Sequence, residues 1–305
     1  MITIGFDTSN YTTSVACFDG SEGFNCSQLL PVQTGQLGLR QSDAVFSHIK
    51  SLPELSDRLF SHVKPEQIGA IGVSTRPRAV EGSYMPCFLV GLSHARTLAD
   101  ALHVPLVEIS HQQGHVASCL WSAGRLDLLE EPHLAWHLSG GTTELLLVEP
   151  MGKSVSCVKL GGTMDISAGQ LIDRTGKLLS LPFPAGKALD ALSQEAQGNE
   201  RFRVRCTDMY FSLSGVENKV QLYSALHTPA QTARYALGSI CHGVVAATKQ
   251  AMERFPGLEV VISGGVSSNT MLRQALAPFD VVYGEPAFAT DNAMGPAILA
   301  HRQEL

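Results

Sequence analysis

No stretch of this 305-residue chain approaches eighteen uninterrupted apolar residues, so no membrane span is expected. The N-terminus, Met1-Ile2-Thr3-Ile4-Gly5-Phe6-Asp7, lacks the basic start and long apolar core of a signal peptide. No Cys-x-x-Cys occurs among the cysteines, Cys17, Cys26, Cys87, Cys119, Cys157, Cys206 and Cys241, which are scattered and odd in number. That usage reads as reduced, mostly buried thiols in a cytoplasmic protein. Excess positive charge is missing too. A formal net charge of -6 argues against broad nonspecific nucleic-acid binding by this chain alone, while leaving room for a local basic patch.

What is present is material for a sizeable core. The length suits two domains or one large one, and 44% of residues are hydrophobic. Glycine, at 28 residues, exceeds its usual share.

The stretch Ile109-Ser110-His111-Gln112-Gln113-Gly114-His115 stands out. It follows a strand-like run, 104–109, and precedes a helical-looking segment, 116–121. On a helix, positions i and i+4 share a face, so His111 and His115 can meet one metal ion. Two ligands hold a divalent ion weakly, so a third must come from elsewhere. His133 and His137 have the same spacing but lie in a strand-like run, where about 13 Å would separate the rings. That pair cannot chelate one ion.

Along the chain, strands at 2–6 and 12–18 flank the polar turn Asp7-Thr8-Ser9-Asn10. Such a hairpin can present amides and hydroxyls to phosphate, and its carboxylate can bind a cation or orient a water. Residues 41–60 read as a helix that Pro53 splits or kinks. A strand at 68–73, the loop Thr75-Arg76-Pro77-Arg78-Ala79 and a helix at 86–102 follow. Strands at 134–138 and 144–148 around Ser139-Gly140-Gly141-Thr142-Thr143 repeat the first hairpin in shape. Two such hairpins opening two halves suggest a duplicated α/β plan around a nucleotide. Asp165 reads as near a helix start, about 80° around the axis from Asp173. Arg201, Arg203 and Arg205 alternate on one side of an extended segment, either a phosphate-facing stripe or a solvated face. Helices are expected at 216–226 and 230–254. A strand at 260–262 leads through Ser263-Gly264-Gly265 into a helix from Thr270, a turn that brings open amides near a ligand. Ala287-Phe288-Ala289-Thr290-Asp291-Asn292-Ala293 opens a last helix; Asp291 fits either a third metal ligand or a helix cap.

Together these motifs resemble the TsaD family of tRNA threonylcarbamoyladenosine synthases. The matching pieces are Gly5-Phe-Asp-Thr-Ser9, His111-Gln-Gln-Gly-His115, Leu138-Ser-Gly-Gly-Thr-Thr-Glu-Leu145, Ala168-Gly-Gln-Leu-Ile-Asp173, Phe211-Ser-Leu-Ser-Gly215, Ser263-Gly-Gly-Val-Ser-Ser-Asn269 and Thr290-Asp-Asn-Ala293, in family order. The resemblance implies an actin-like ATPase fold of two lobes. The first lobe is expected at 1–108, with the last helix, 292–305, packing back on it, and the second at 109–291, carrying the metal and nucleotide motifs. It implies one divalent metal, iron or zinc, on His111, His115 and Asp291. It implies an adenine nucleotide or threonylcarbamoyl-AMP at Leu138, Ser139, Gly140, Gly141, Thr142, Asp173, Gly186 and Asn269. The implied reaction moves the threonylcarbamoyl group to the exocyclic amine of the tRNA adenosine next to the anticodon, with TsaB-like and TsaE-like partner proteins. No general base is assigned; Asp7 is one candidate for taking the amine proton. The chain departs from the family at Asp7, usually glutamate, at Thr142, usually histidine, at Thr75 to Ala79 and at Gly35 to Ser42. Those departures keep open a divergent paralogue that binds nucleotide and metal as a scaffold, or acts as a carbamoyltransferase or kinase on another acceptor.

Overall fold

The computed structural model describes residues 1–9, 11–31 and 39–304. In chain order the elements are β1 (Ile2–Asp7), β2 (Thr12–Phe18), β3 (Gly23–Leu29), α1 (Gln41–Phe60), β4 (Ile68–Arg76), α2 (Phe88–Leu102), β5 (Leu106–Ser110) and α3 (His111–Ser122). There follow β6 (His133–Leu138), β7 (Thr143–Met151), β8 (Ser154–Thr163), α4 (Ala168–Leu178), α5 (Gly186–Gln194), β9 (Cys206–Thr207), β10 (Tyr210–Phe211) and α6 (Ser214–Ser224). The rest comprises α7 (Pro229–Arg254), β11 (Val260–Ser263), α8 (Thr270–Leu276), β12 (Val282–Tyr283) and α9 (Met294–Glu304), with short 3-10 turns between elements.

Two compact units result. Unit 1 holds 1–131, 149–157 and 290–305; unit 2 holds 132–148 and 158–289. Unit 1 carries a five-stranded sheet in the order β3-β2-β1-β4-β5. Its first three strands pair antiparallel, while β1–β4 and β4–β5 are parallel. The unit 2 sheet runs β12-β11-β6-β7-β8-β10-β9. Reading β6, β7, β8, β11 and β12 as first to fifth strands gives the unit 1 order again, with the β9–β10 hairpin added at one edge. The duplicated plan expected from the two hairpins is present.

In β1 the alternation of side chains sorts residues onto two faces. Ile4 and Phe6 join the core with Leu52, Leu55 and Leu59 of α1 and Ala95 and Ala99 of α2. Thr3, Gly5 and Asp7 take the other face, where Thr3 Oγ1 donates to Ala297 O of α9 at 2.8 Å. Each fully buried Leu, Ile or Phe side chain contributes roughly 1.5–3 kcal/mol. This double-sided burial fixes strand register, because a slip of one residue would put Asp7 into the apolar layer. In unit 2, Leu134, Trp136 and Leu138 of β6 face a core shared with α7, and Trp136 Nε1 donates to Thr248 Oγ1 at 2.9 Å.

Several expectations change. The units divide at Glu131 and Pro132 rather than after residue 108, so α3 and Asp291 belong to unit 1 and not to a second lobe. The reason is local: β5 runs straight into α3, which packs beside α9. Helix α3 begins at His111 itself, five residues earlier than the helical run suggested. Helix α1 is continuous through Pro53. Thr75 and Arg76 close strand β4 instead of forming a loop. Asp165 lies outside any helix, before α4. Strand β8 and helix α5 had no counterpart in the reading of the sequence. Positions 10 and 35–38, which carry part of two motifs, lie outside the described residues.

Candidate functional site

The end of β5 supplies Ser110, the residue that caps α3. Its hydroxyl accepts from Gln113 N at 3.3 Å, and its amide donates to Gln113 Oε1 at 2.8 Å, a reciprocal cap that fixes the first helical turn. The His111 and His115 rings therefore project one turn apart on one face. Gly114 lies between them, against α9. A Cβ built on Gly295 would stand 2.1 Å from Gly114 O, so only a glycine lets the two helices approach this closely. That approach carries the segment before α9, with Asp291, up to both imidazoles.

His111 Nε2 and His115 Nε2 are 2.9 Å apart. Asp291 Oδ1 is 3.4 Å from the first and 3.3 Å from the second. These three are the group of donors in the described residues that could hold a metal ion. Donors about 2.0–2.1 Å from a common zinc-sized ion stand roughly 2.8–3.4 Å apart, from cis octahedral to tetrahedral arrangement. The observed spacings match. Two imidazoles and one carboxylate suit iron(II) or zinc better than calcium or magnesium, which prefer all-oxygen shells. The donor set thus fits the ion that the motifs implied.

Behind His111 sits Asp7, 1% exposed. Its Oδ2 lies 2.9 Å from His111 Nδ1, and its Oδ1 accepts from Ser9 N at 2.9 Å. A proton on Nδ1 leaves the Nε2 lone pair free for a cation, the arrangement by which a second carboxylate orients a metal-binding histidine. With both oxygens engaged, Asp7 is better placed to hold His111 than to take a proton from substrate. Burial disfavours charge on His111, but the Asp7 and Asp291 carboxylates outweigh it and push its pKa up to about 10. Burial and the neighbouring His111 charge lower His115. Burial raises Asp291, yet its bonds to the two histidines hold it well below the usual carboxylate range. Of the rest of the first hairpin turn, Thr8 is occupied: its hydroxyl donates to Cys87 O and accepts from Gly91 N, pinning α2. Ser9 Oγ is buried with no hydrogen-bond partner among the described residues.

Unit 2 carries the other predicted residues. The turn from Leu138 to Thr142 is closed by Ser139 N donating to Thr142 O at 2.8 Å and Thr142 N donating to Ser139 Oγ at 3.1 Å. Gly140 and Gly141 at its tip are exposed, with nothing within 4 Å of a built Cβ. Gly264, at φ +91°, passes under this turn; a Cβ there would stand 2.3 Å from Leu138 O. So the two glycine turns of unit 2 lie against each other. Asp173 Oδ1 accepts from Ala185 N at 2.8 Å, next to Gly186 at the start of α5. Burial raises the Asp173 pKa. Asn269 caps α8 by accepting from Leu272 N at 3.0 Å and donates to Asp190 Oδ1 at 3.0 Å. Its side chain is therefore spent on the scaffold.

The family model for TsaD, tRNA N6-adenosine threonylcarbamoyltransferase, matches residues 34–298. The chain belongs to the TsaD family. A curated tRNA N6-adenosine threonylcarbamoyltransferase of Carboxydothermus hydrogenoformans is 30% identical over 259 residues, covering 81% of this chain and 74% of that protein. One of Aromatoleum aromaticum is 31% identical over 315 residues, covering 96% and 88%. TsaD relatives are transferases by name, and the chain is an enzyme of that class. Among solved structures, full-length HypF in a phosphate- and nucleotide-bound form superposes with a TM-score of 0.63 at 14% identity, over 99% of this chain and 46% of HypF. Component A of the (R)-2-hydroxyglutaryl-CoA dehydratase of Acidaminococcus fermentans gives 0.55 at 15% identity, over 99% and 98%. These likenesses show the actin-like ATPase fold, in agreement with the duplicated sheets. No helix among the described residues is long and apolar enough to cross a membrane.

Of two acidic residues important to this TsaD scaffold, Asp190 escaped the sequence reading and Asp165 was seen without its partners. Asp190 binds Asn269 and also accepts from Thr270 N and Thr270 Oγ1; nothing in its own surroundings in sequence marks it. Asp165 accepts from Leu213 N at 2.8 Å, from Ser214 Oγ at 2.6 Å and from Ser212 Oγ. Burial raises its pKa, but these hydrogen bonds outweigh it and hold the carboxyl far below its usual range. The Phe211-Ser-Leu-Ser-Gly motif is thus the clamp on Asp165.

Proposed function

We propose that this chain transfers a threonylcarbamoyl group from threonylcarbamoyl-AMP to the exocyclic amine of the tRNA adenosine beside the anticodon. One divalent ion, iron or zinc, would be held by His111, His115 and Asp291. The observation that carries the reading is the convergence of those three donors within a chain whose family is TsaD. When bound, the ion supplies Lewis acidity and a docking point for phosphate or carbonyl oxygens.

The chain's own residues do the rest. Asp7 fixes the His111 ring and its proton, so that Nε2 is presented in one orientation. The exposed turn tip at Gly140 and Gly141, whose Gly140 O is held by Ser167 Oγ, suits the phosphate of the adenylate, where amide donors would stabilise the departing AMP. The new bond joins the adenosine amine nitrogen to the carbamoyl carbon; the bond from that carbon to the AMP phosphate oxygen breaks, and AMP leaves as an anion. The amine gives up one proton. TsaB-like and TsaE-like partners belong to the proposal through the family resemblance.

The test is incubation of the chain with threonylcarbamoyl-AMP and unmodified tRNA, with and without such partners, followed by mass analysis of the nucleosides. Threonylcarbamoyladenosine is expected. Its absence under every combination, with small acceptors modified instead, would favour the paralogue reading.

A further inference from the structure

The β9–β10 hairpin at the edge of the unit 2 sheet, and the segment leading into it, carry a feature that the proposed chemistry does not use. From 201 to 205 burial alternates. Phe202 packs against the core and Val204 is 4% exposed, while Arg201, Arg203 and Arg205 are exposed. Ser239 Oγ accepts from Phe202 N at 2.9 Å and fixes the segment to α7. Alternate side chains on extended backbone are about 6.6 Å apart, close to the spacing of successive phosphates along one nucleic-acid strand.

The acidic groups nearby are already committed. Asp208 pairs with Arg254 at 3.1 Å and Glu144 with Lys159 at 3.1 Å. Asp165 is filled by its hydroxyl and amide donors, and Glu200 accepts from Tyr223. Among the described residues no carboxylate pairs with Arg201, Arg203 or Arg205. At its end the stripe opens into a pocket of about 530 Å³ lined by Met164, Arg205, Thr207, Tyr210 and Ser212. The Tyr210 ring there has Lys159 Nζ 5.9 Å from its centre. A guanidinium, an aromatic ring and an exposed thioether in one pocket, continued by two more exposed arginines, of which Arg201 also donates to Asn199 O at 3.1 Å, suit a strand of alternating phosphates and bases.

We propose that Arg201, Arg203, Arg205 and the Tyr210 pocket form a contact for an RNA strand, with phosphates along the arginines and a base in the pocket. The proposal rests on the reading of tRNA as acceptor, and adds a binding surface on unit 2 apart from the glycine turns. The overall charge of -6 sharpens it, because a local cluster of unpaired arginines must then supply the attraction.

The experiment measures binding of labelled, unmodified tRNA to the full chain by fluorescence anisotropy over a series of salt concentrations. The R201Q/R203Q/R205Q chain is expected to bind at least about tenfold more weakly, with the slope of log affinity against log salt reduced by roughly two to three. R201K/R203K/R205K keeps most of the affinity. Tyr210→Ala loses roughly tenfold with the slope unchanged. Unaltered melting temperature and metal content show that each variant is folded. Wild-type affinity and slope in the glutamine variant would overturn the proposal, as would displacement by polyglutamate as effective as displacement by an RNA oligonucleotide, or no tRNA binding by the wild-type chain. Nucleoside analysis of the same samples separates the two ideas. Binding through the arginines without modified adenosine removes tRNA as acceptor and leaves the surface. Modified adenosine formed at unaltered KM by the glutamine variant removes the surface and leaves the acceptor.

Discussion

The two candidate binding regions, one in each unit, are built by opposite means. In unit 1 the candidate groups are side chains: two imidazoles and two carboxylates, largely withdrawn from water and held by one another. In unit 2 the candidate groups are backbone, at the exposed tip of a glycine turn, with side chains such as Asp173 and Asn269 serving to hold the frame. The difference teaches where each should be vulnerable. A buried charged cluster fails when one member is removed, because its partners are left uncompensated. A backbone cradle ignores most side-chain changes and fails when the chain path is disturbed.

The largest effect is expected from Asp291→Ala. Loss of one of three donors should lower metal affinity and transfer on the order of a hundredfold or more, while nucleotide binding persists. Isothermal titration with metal and with AMP would separate the two. Asp7→Asn keeps the shape but removes the charge behind His111. A roughly 10–100-fold drop in metal affinity is expected, the range for a group that orients a ligand; unchanged affinity would show that the His111 contact is idle.

The contrast extends to acid. His48 of α1 is fully buried, with Nδ1 2.8 Å from Thr13 Oγ1. Burial pushes its pKa down to about 4, despite the Asp7 and Asp291 charges. Its unfolded value lies near 6.5, so between about pH 6.5 and 4 the unfolded chain binds the extra proton and stability falls as pH falls. About 2 kcal/mol should disappear between pH 7 and pH 5. Denaturant titrations at the two pH values, on wild type and His48→Gln, would test this; an equal pH dependence in the variant would assign the loss elsewhere. The smallest expected change is Gly264→Ala. Positive φ and the contact with Leu138 O should displace the turn and weaken AMP binding by roughly tenfold, from strain of about 1–3 kcal/mol, with metal content unaffected. Loss of metal as well would erase the distinction between the two parts.

How much of this was legible in the sequence follows from range. The pair His111 and His115 could be read because four residues make one helical turn, and the glycine turns could be read from their strands. Asp291 could be read as a metal ligand or a helix cap, and the resemblance favoured the first; no spacing rule links it to residues so far away in the chain. The contact of Asp7 with His111 depends on which face of β1 meets α3, a matter of packing that local pattern does not encode. Strand β8 hid because Ser156 and Lys159 interrupt its apolar run, and α5 because it follows a proline-rich loop directly. Asp165 looked like a helix-start residue of its own segment, but caps α6 across 49 residues. The boundary after residue 108 failed for a related reason. Ser110 joins β5 to α3 without a linker, so no shift in composition marks where unit 1 continues.

The most direct test is a metal assay on the purified full chain after equilibrium dialysis against iron(II) or zinc. The account expects about one ion per chain for wild type, and loss of that ion in both His115→Ala and Asp291→Ala. A wild-type chain that retains no ion, or variants that retain as much as wild type, would contradict it.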